Sequence, residues 1–160
     1  LVSQSLEKII ELVKSRLDRL ELAYDSSLDF SAIVDLYRQR ASTINELVDS
    51  ILYCFQDFAD YDKKAAQRAL KQEALEPLRQ LHHQLSELEN WDAQSIHAVI
   101  EAITEALGVG MGKVGQPLRV AVTGASFSPP IDQTVELLGK ERSISRIQRA
   151  IDHISANTVP

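Results

Sequence analysis

Residues 92–108 read DAQSIHAVIEAITEALG, and their pattern decides the fold. Ile96, Val99, Ile100, Ile103 and Leu107 return every three or four residues, which lays one apolar stripe along a helix. Asp92 stands where a side-chain oxygen can accept from first-turn amides, and Gly108 where a left-handed residue ends the helix. Start, stripe and stop agree on one complete amphipathic helix.

The same period extends outward in both directions. Upstream, Leu78, Leu81, Leu85 and Leu88 form a second stripe, with Pro77 in a first turn that needs no N–H from it. Asp62 leads into KKAAQRAL, a strong helix former. Nearer the start, Leu6, Ile9, Ile10, Val13, Leu17 and Leu20 form one stripe, and Ile33, Val34, Leu36 and Tyr37 another, capped by Asp29 or Ser31. Thr43 and Glu46 have capping-box spacing ahead of Leu47, Ile51 and Leu52. Downstream, GVGMGKVGQP interrupts the pattern. Pro117 then opens a short helix, PLRVAVT, that Gly124 closes, and SFSPP forms a rigid loop. Helices from Asp132 to Leu138 and from Glu141 to Ile154 complete the chain. Val120–Val122 is β-prone, but three residues between Pro117 and Gly124 make a poor strand.

This pattern predicts an all-α protein of two small helical bundles in series. QDFADYD, residues 56–62, is the expected break, because its short acidic side chains compete with helix for the backbone. The bundles are expected at 1–57 and 58–160.

At 44% hydrophobic and 25% charged, the 160 residues have the balance of a globular domain, not of a disordered segment. Apolar runs fall far short of the roughly 20 residues a membrane helix needs. The lone Cys54, between Tyr53 and Phe55, can form no internal disulfide and reads as a core residue, in keeping with the cytoplasm. No basic start leads into an apolar core, so no signal peptide is expected, and Leu1 reads as the edge of a fragment. A net charge of -6 argues against coating nucleic acid by charge alone. Residues 110–150 nevertheless carry six basic and three acidic residues, a net +3 that leaves -9 elsewhere. That segment is either an ordinary solvated face or a local basic surface for phosphates.

Catalytic and metal signatures are missing. His82, His83, His97 and His153 are scattered, and the adjacent pair points in directions about 100° apart on a helix. There is no HExxH, CxxC, Walker loop or GxSxG. GVGMGKVG follows a helix and lacks the GK[ST] ending, so it makes a poor phosphate cradle. No cofactor or metal is expected within these residues.

Residues 110–151, GMGKVGQPLRVAVTGASFSPPIDQTVELLGKERSISRIQRAI, resemble the end of bacterial glutamyl-tRNA synthetases. The likeness lies in a GK-V-x-x-PLR-x-A-x-TG run, an SP turn and a GK-x-R segment. DLYRQRASTINEL, FQDFADYDKKAAQRAL and LENWDAQSIHAVI are similar to further stretches of that family. The resemblance covers about residues 28–155 and implies two α-helical subdomains that grip the tRNA anticodon. The HIGH-like and KMSKS-like signatures of the family's catalytic half do not occur here. The resemblance therefore implies a fragment that binds glutamate tRNA without charging it. ATP and magnesium are implied for the full-length ligase alone. The protein is expected to be a cytoplasmic monomer with no membrane contact.

The resemblance also implies roles. Arg40 matches the position that inspects the third anticodon base. Cytosine offers O2 and N3 as acceptors to a guanidinium fork, whereas guanine would oppose it donor to donor. Arg119, Ser128, Pro129 and Ile131 match positions that meet the other two bases, with Gln116 as a weaker candidate. Ser128 stands where other members have threonine, and Pro130 where a small residue is common. Leu118, Val120 and Val122 read as core, Trp91 reads as core or a seam between subdomains, and Phe127 could be either. Two other functions stay open. One is a free-standing helical scaffold for protein partners, and the other is a paralogous synthetase that also charges glutamine tRNA.

Overall fold

The computed structural model describes residues 5–20, 30–55, 58 and 60–157. Among the described residues are nine α-helices, one 3-10 turn (Gln72–Ala74) and no strand, so the fold is all-α. The helices are α1 (Leu6–Arg19), α2 (Phe30–Arg38), α3 (Ile44–Phe55), α4 (Lys63–Ala69), α5 (Leu75–Ser86), α6 (Ala93–Leu107), α7 (Gly112–Thr123), α8 (Ile131–Leu138) and α9 (Lys140–Ala156). They fall into two compact units, Leu1–Phe58 and Ala59–Pro160.

In the first unit each of α1, α2 and α3 packs on the other two. Ile9, Val13 and Leu17 of α1, Ile33 and Val34 of α2, and Leu47 and Ile51 of α3 are completely buried, so the apolar stripes have become one core. Leu20 instead lies past the end of α1 and is exposed. Thr43 Oγ1 accepts from the Glu46 amide at 3.1 Å, the first half of the expected capping box. The return bond lands one residue early, with the Glu46 carboxylate accepting from the Ser42 amide at 2.8 Å. Asp29 lies outside the described residues, and Ser31 sits inside α2, where it cannot precede the helix as a cap. Cys54 is buried.

In the second unit α5 packs against α6, α7 and α9, and α8 lies on α6 and α9. Two carboxylates begin helices as the sequence suggests. The Asp62 side chain accepts from the Ala65 amide at 3.0 Å, and Asp92 accepts from the Ser95 amide at 2.7 Å. Gly108 ends α6 at φ 65, in the left-handed region that only glycine enters without steric cost. Leu78, Leu81, Leu85, Ile96, Ile100 and Ile103 are completely buried. The β-prone Val120–Val122 run is helical, and both valines are fully buried.

One element starts earlier than the sequence suggests. The helix α7 begins at Gly112 rather than Pro117, so Pro117 lies inside it. Proline lacks an N–H and so gives the carbonyl four residues back, that of Lys113, no helical donor. The extra turn is held by burial: Val114 is fully inaccessible, and the Gly115 amide donates to Met111 O at 2.7 Å. Tertiary packing here overrides the low helix propensity of Gly112 and Gly115.

Candidate nucleic-acid interface

Gly124 stops α7 at φ 78, and the chain then runs through residues 125–130 to the start of α8. This loop is pinned at both ends. At its entry the Thr123 hydroxyl donates to Arg119 O at 2.7 Å, the usual bond of a helical threonine to the turn behind it, and accepts from the Ala125 amide at 3.1 Å. At its exit the Thr134 hydroxyl lies within 3.1 Å of Pro130 O and 3.3 Å of Pro129 O.

Between the two pins, side chains cross-brace the loop. Gln116 and Arg119 are three apart on α7 and therefore share a face. Arg119 Nη1 donates to Gln116 Oε1 at 2.8 Å, and Arg119 Nε donates to Ser128 Oγ at 2.9 Å. The other end of the Gln116 amide donates to Ser126 O at 3.1 Å. The Ser128 hydroxyl passes the chain on by donating to Pro129 O at 2.7 Å. The half-buried guanidinium is thus held in a fixed pose before any ligand arrives. A side chain ordered in advance loses less entropy on binding.

The structure brings together five of the six residues singled out in the sequence. Gln116, Arg119, Ser128, Pro129 and Ile131 all lie on α7, the loop or the first residue of α8. Pro129 is buried, and Ile131 is half-buried. The carbonyls of Ser126, Pro129 and Pro130 already accept from side chains of the same unit, so the loop backbone is braced inward. Gln116, the weakest candidate in the sequence, is the brace that links loop and guanidinium. Arg40 belongs to the first unit. It is exposed in the turn beyond α2, where its amide donates to Tyr37 O at 3.0 Å.

The positive charge of residues 110–150 is only partly a surface property. Arg146 is 3% exposed, and its Nη1 donates to Val122 O at 2.7 Å. Lys140 Nζ donates to Leu88 O at 2.8 Å. Both cations therefore satisfy carbonyls at or just beyond helix C-termini, where the helix leaves them without partners and the dipole favours positive charge. Arg149 lies over the Tyr61 ring, 5.2 Å from its centroid, and His153 meets that ring edge-on at 4.9 Å. Burial pushes the Tyr61 hydroxyl up from its ordinary range, against the pull of Arg149. A groove of about 610 Å³ runs along α4 and α9 past these side chains and contains none of the six residues.

Sequence reasoning misses Thr123 and Thr134, whose hydroxyls hold the loop. Their only signal is a hydroxyl residue on either side of a Gly–Pro-rich segment. Trp91 Nε1 donates to Val135 O at 3.2 Å, tying the segment before α6 to α8. Among the described residues, no helix is long and apolar enough to cross a membrane.

A helical scaffold thus carries a cross-braced loop with a preset guanidinium. The chain belongs to the anticodon-binding domain family, whose model matches residues 2–151. That match reaches further toward the start than the motifs quoted above. Two solved structures are similar. One is a glutamate tRNA ligase from Elizabethkingia meningosepticum, crystallised in complex with its amino acid, at 29% identity and TM-score 0.84 over 94% of this chain. The other is a glutamate-tRNA synthetase from Elizabethkingia anophelis, at 30% identity and TM-score 0.80 over 95%. The chain spans 30% and 29% of those two chains.

Proposed function

We propose that this chain reads the anticodon of glutamate tRNA as part of a glutamate–tRNA ligase. The observation that carries the reading is the Gln116–Arg119–Ser128 brace, which fixes a guanidinium beside a rigid proline loop in a member of the anticodon-binding family. Single-stranded loops expose base edges for hydrogen bonding, and a preset fork suits acceptor pairs on those edges. The first unit and the second unit act as the two anticodon-binding subdomains. Arg119, Ser128, Pro129 and Ile131 meet two anticodon bases, with Gln116 holding Arg119. Arg40 inspects the third base, favouring the cytosine that ends glutamate anticodons over the guanine that ends glutamine ones.

In the full-length enzyme, ATP and magnesium would drive attachment of glutamate elsewhere in the protein. The enzyme works in the cytoplasm as a monomer. The similarity of both solved structures to this chain supports this reading over a protein-binding scaffold.

The test is binding of this chain to glutamate tRNA transcripts that differ only in the anticodon. Affinity should fall when any anticodon base is exchanged. Equal affinity for every anticodon would overturn the proposal.

A further inference from the structure

Phe127 is 89% exposed, while the other large apolar side chains on the described surface (Leu12, Leu20, Val109 and Met111) show between 38% and 44%. A ring left this open contributes almost nothing to the stability of the fold. Both residues that flank it, in contrast, are held. Ser126 on one side has its carbonyl bound by Gln116, and Ser128 on the other has its hydroxyl bound by Arg119. The ring therefore projects from a braced point of the loop, next to the side chains that form the candidate interface.

We infer that Phe127 is a stacking platform for an unpaired base of the anticodon loop. This inference rests on the anticodon reading and adds a contact of a different kind to it. The braced polar groups can select base edges, but none of them is an aromatic ring. The exposed Phe127 supplies one, and every base has a π-face to lay on it. The occupant is a splayed-out base rather than a protein side chain, because the ring stands in an anticodon-binding domain beside the half-buried Arg119, whose planar guanidinium suits base edges. Pro129 and Pro130, whose φ angles are fixed, narrow the range of conformations open to the loop that carries the ring. Stacking is indifferent to base identity, so Phe127 adds affinity and pose while Arg119 adds choice.

The experiment uses a synthetic anticodon stem–loop RNA with 2-aminopurine at one loop position at a time. Binding of the wild-type chain should quench the fluorophore at one position. Phe127→Ala should abolish that quench and weaken binding between roughly fivefold and a hundredfold, the range of a single base–aromatic stack. The dependence of binding on salt should not change, because no phosphate contact is lost. Phe127→Tyr should bind as wild type, and Phe127→Leu should resemble the alanine variant. A side chain this exposed can be replaced without disturbing the fold, which unchanged thermal melting would verify. If Phe127→Ala binds normally while Arg119→Ala does not, the stacking role is overturned and the anticodon reading survives. If both variants bind normally, both fail. If Phe127→Leu restores binding, apolar volume rather than a planar face is at work, and the stacking role is wrong.

Discussion

Arg119 Nε and Ser128 Oγ lie 2.9 Å apart, and this one bond joins the face of α7 to the loop that follows it. Ser128→Ala would leave the guanidinium without that acceptor and the loop without its central brace. The cost in stability should be about 0.5–1.5 kcal/mol, the net value of one such bond. Affinity for tRNA should drop several-fold, because Arg119 then keeps the Gln116 bond but is less fully preset. Ser128→Thr, which keeps the hydroxyl, should restore both. Thermal melts and tRNA titrations of the three proteins check this, and an alanine variant with wild-type affinity would remove Ser128 from the site.

Arg146 gives the opposite expectation. It is buried and donates to Val122 O, so its charge is not offered to RNA. Arg146→Met keeps much of the volume but strands a carbonyl at the end of α7, which should cost roughly 1–3 kcal/mol. The slope of log affinity for tRNA against log salt should not change in the surviving folded protein. A slope reduced by one phosphate contact would show that Arg146 reaches the RNA after all.

Arg40→Gln, made in the full-length ligase, should relax choice at the third anticodon base. Arg40 is exposed beyond the end of α2, so the substitution should shift stability by no more than about 0.5 kcal/mol. Glutamine can both donate and accept, which removes the donor–donor conflict with guanine. The ratio of kcat/KM for glutamate tRNA over a glutamine tRNA should fall, and that ratio reports differential transition-state binding. An unchanged ratio would exclude Arg40 as the reader of that base.

Asp92 makes the stability of the second unit sensitive to acid. The Ser95 backbone amide, with its side chain adding, holds the Asp92 carboxyl below its ordinary value of 3.8. A carboxylate whose pKa is lower when folded stabilises the protein above its unfolded pKa, and that contribution is lost as pH falls through the folded value. Asp92→Ala should therefore lower Tm near neutral pH, and the gap to wild type should narrow once pH drops below 3.8. A gap that stays constant as pH is taken well below 3.8 would mean the cap works without its charge.

Much of the fold is legible in the sequence because burial and period are the same fact here. Ile9, Val13 and Leu17 of one stripe and Ile96, Ile100 and Ile103 of another are fully buried, while Ile10 and Val99 at their margins are half-buried. Caps at Asp62, Asp92, Thr43 and Gly108 are equally plain, since each is a local bond within four residues. The start of α7 is hidden because its cause, the burial of Val114, is tertiary. Charge misleads in a similar way. Lys140 and Arg146 count as basic residues in the sequence, but each is spent on a carbonyl 52 and 24 residues away. The candidate site is half legible. Family motifs single out Arg119 and Ser128, yet nothing in their nine-residue separation reveals that they bond to each other rather than wait apart for RNA. The exposure of Phe127 is a fact of the folded loop alone.

The Asp62 amide donates to Gly124 O at 2.7 Å, and the Asp62 carboxylate caps α4. The first helix of the second unit is thus latched to the root of the braced loop. The same residue marks where the chain enters that unit and where the loop leaves α7. The Tyr61 ring beside Arg149 and His153 and the Asp62 amide on Gly124 are consecutive anchors of the entering chain. Hydrogen exchange at the Asp62 amide is therefore a gauge of loop order that can be read with no ligand present, and slower exchange on adding tRNA would register the loop tightening from its far side.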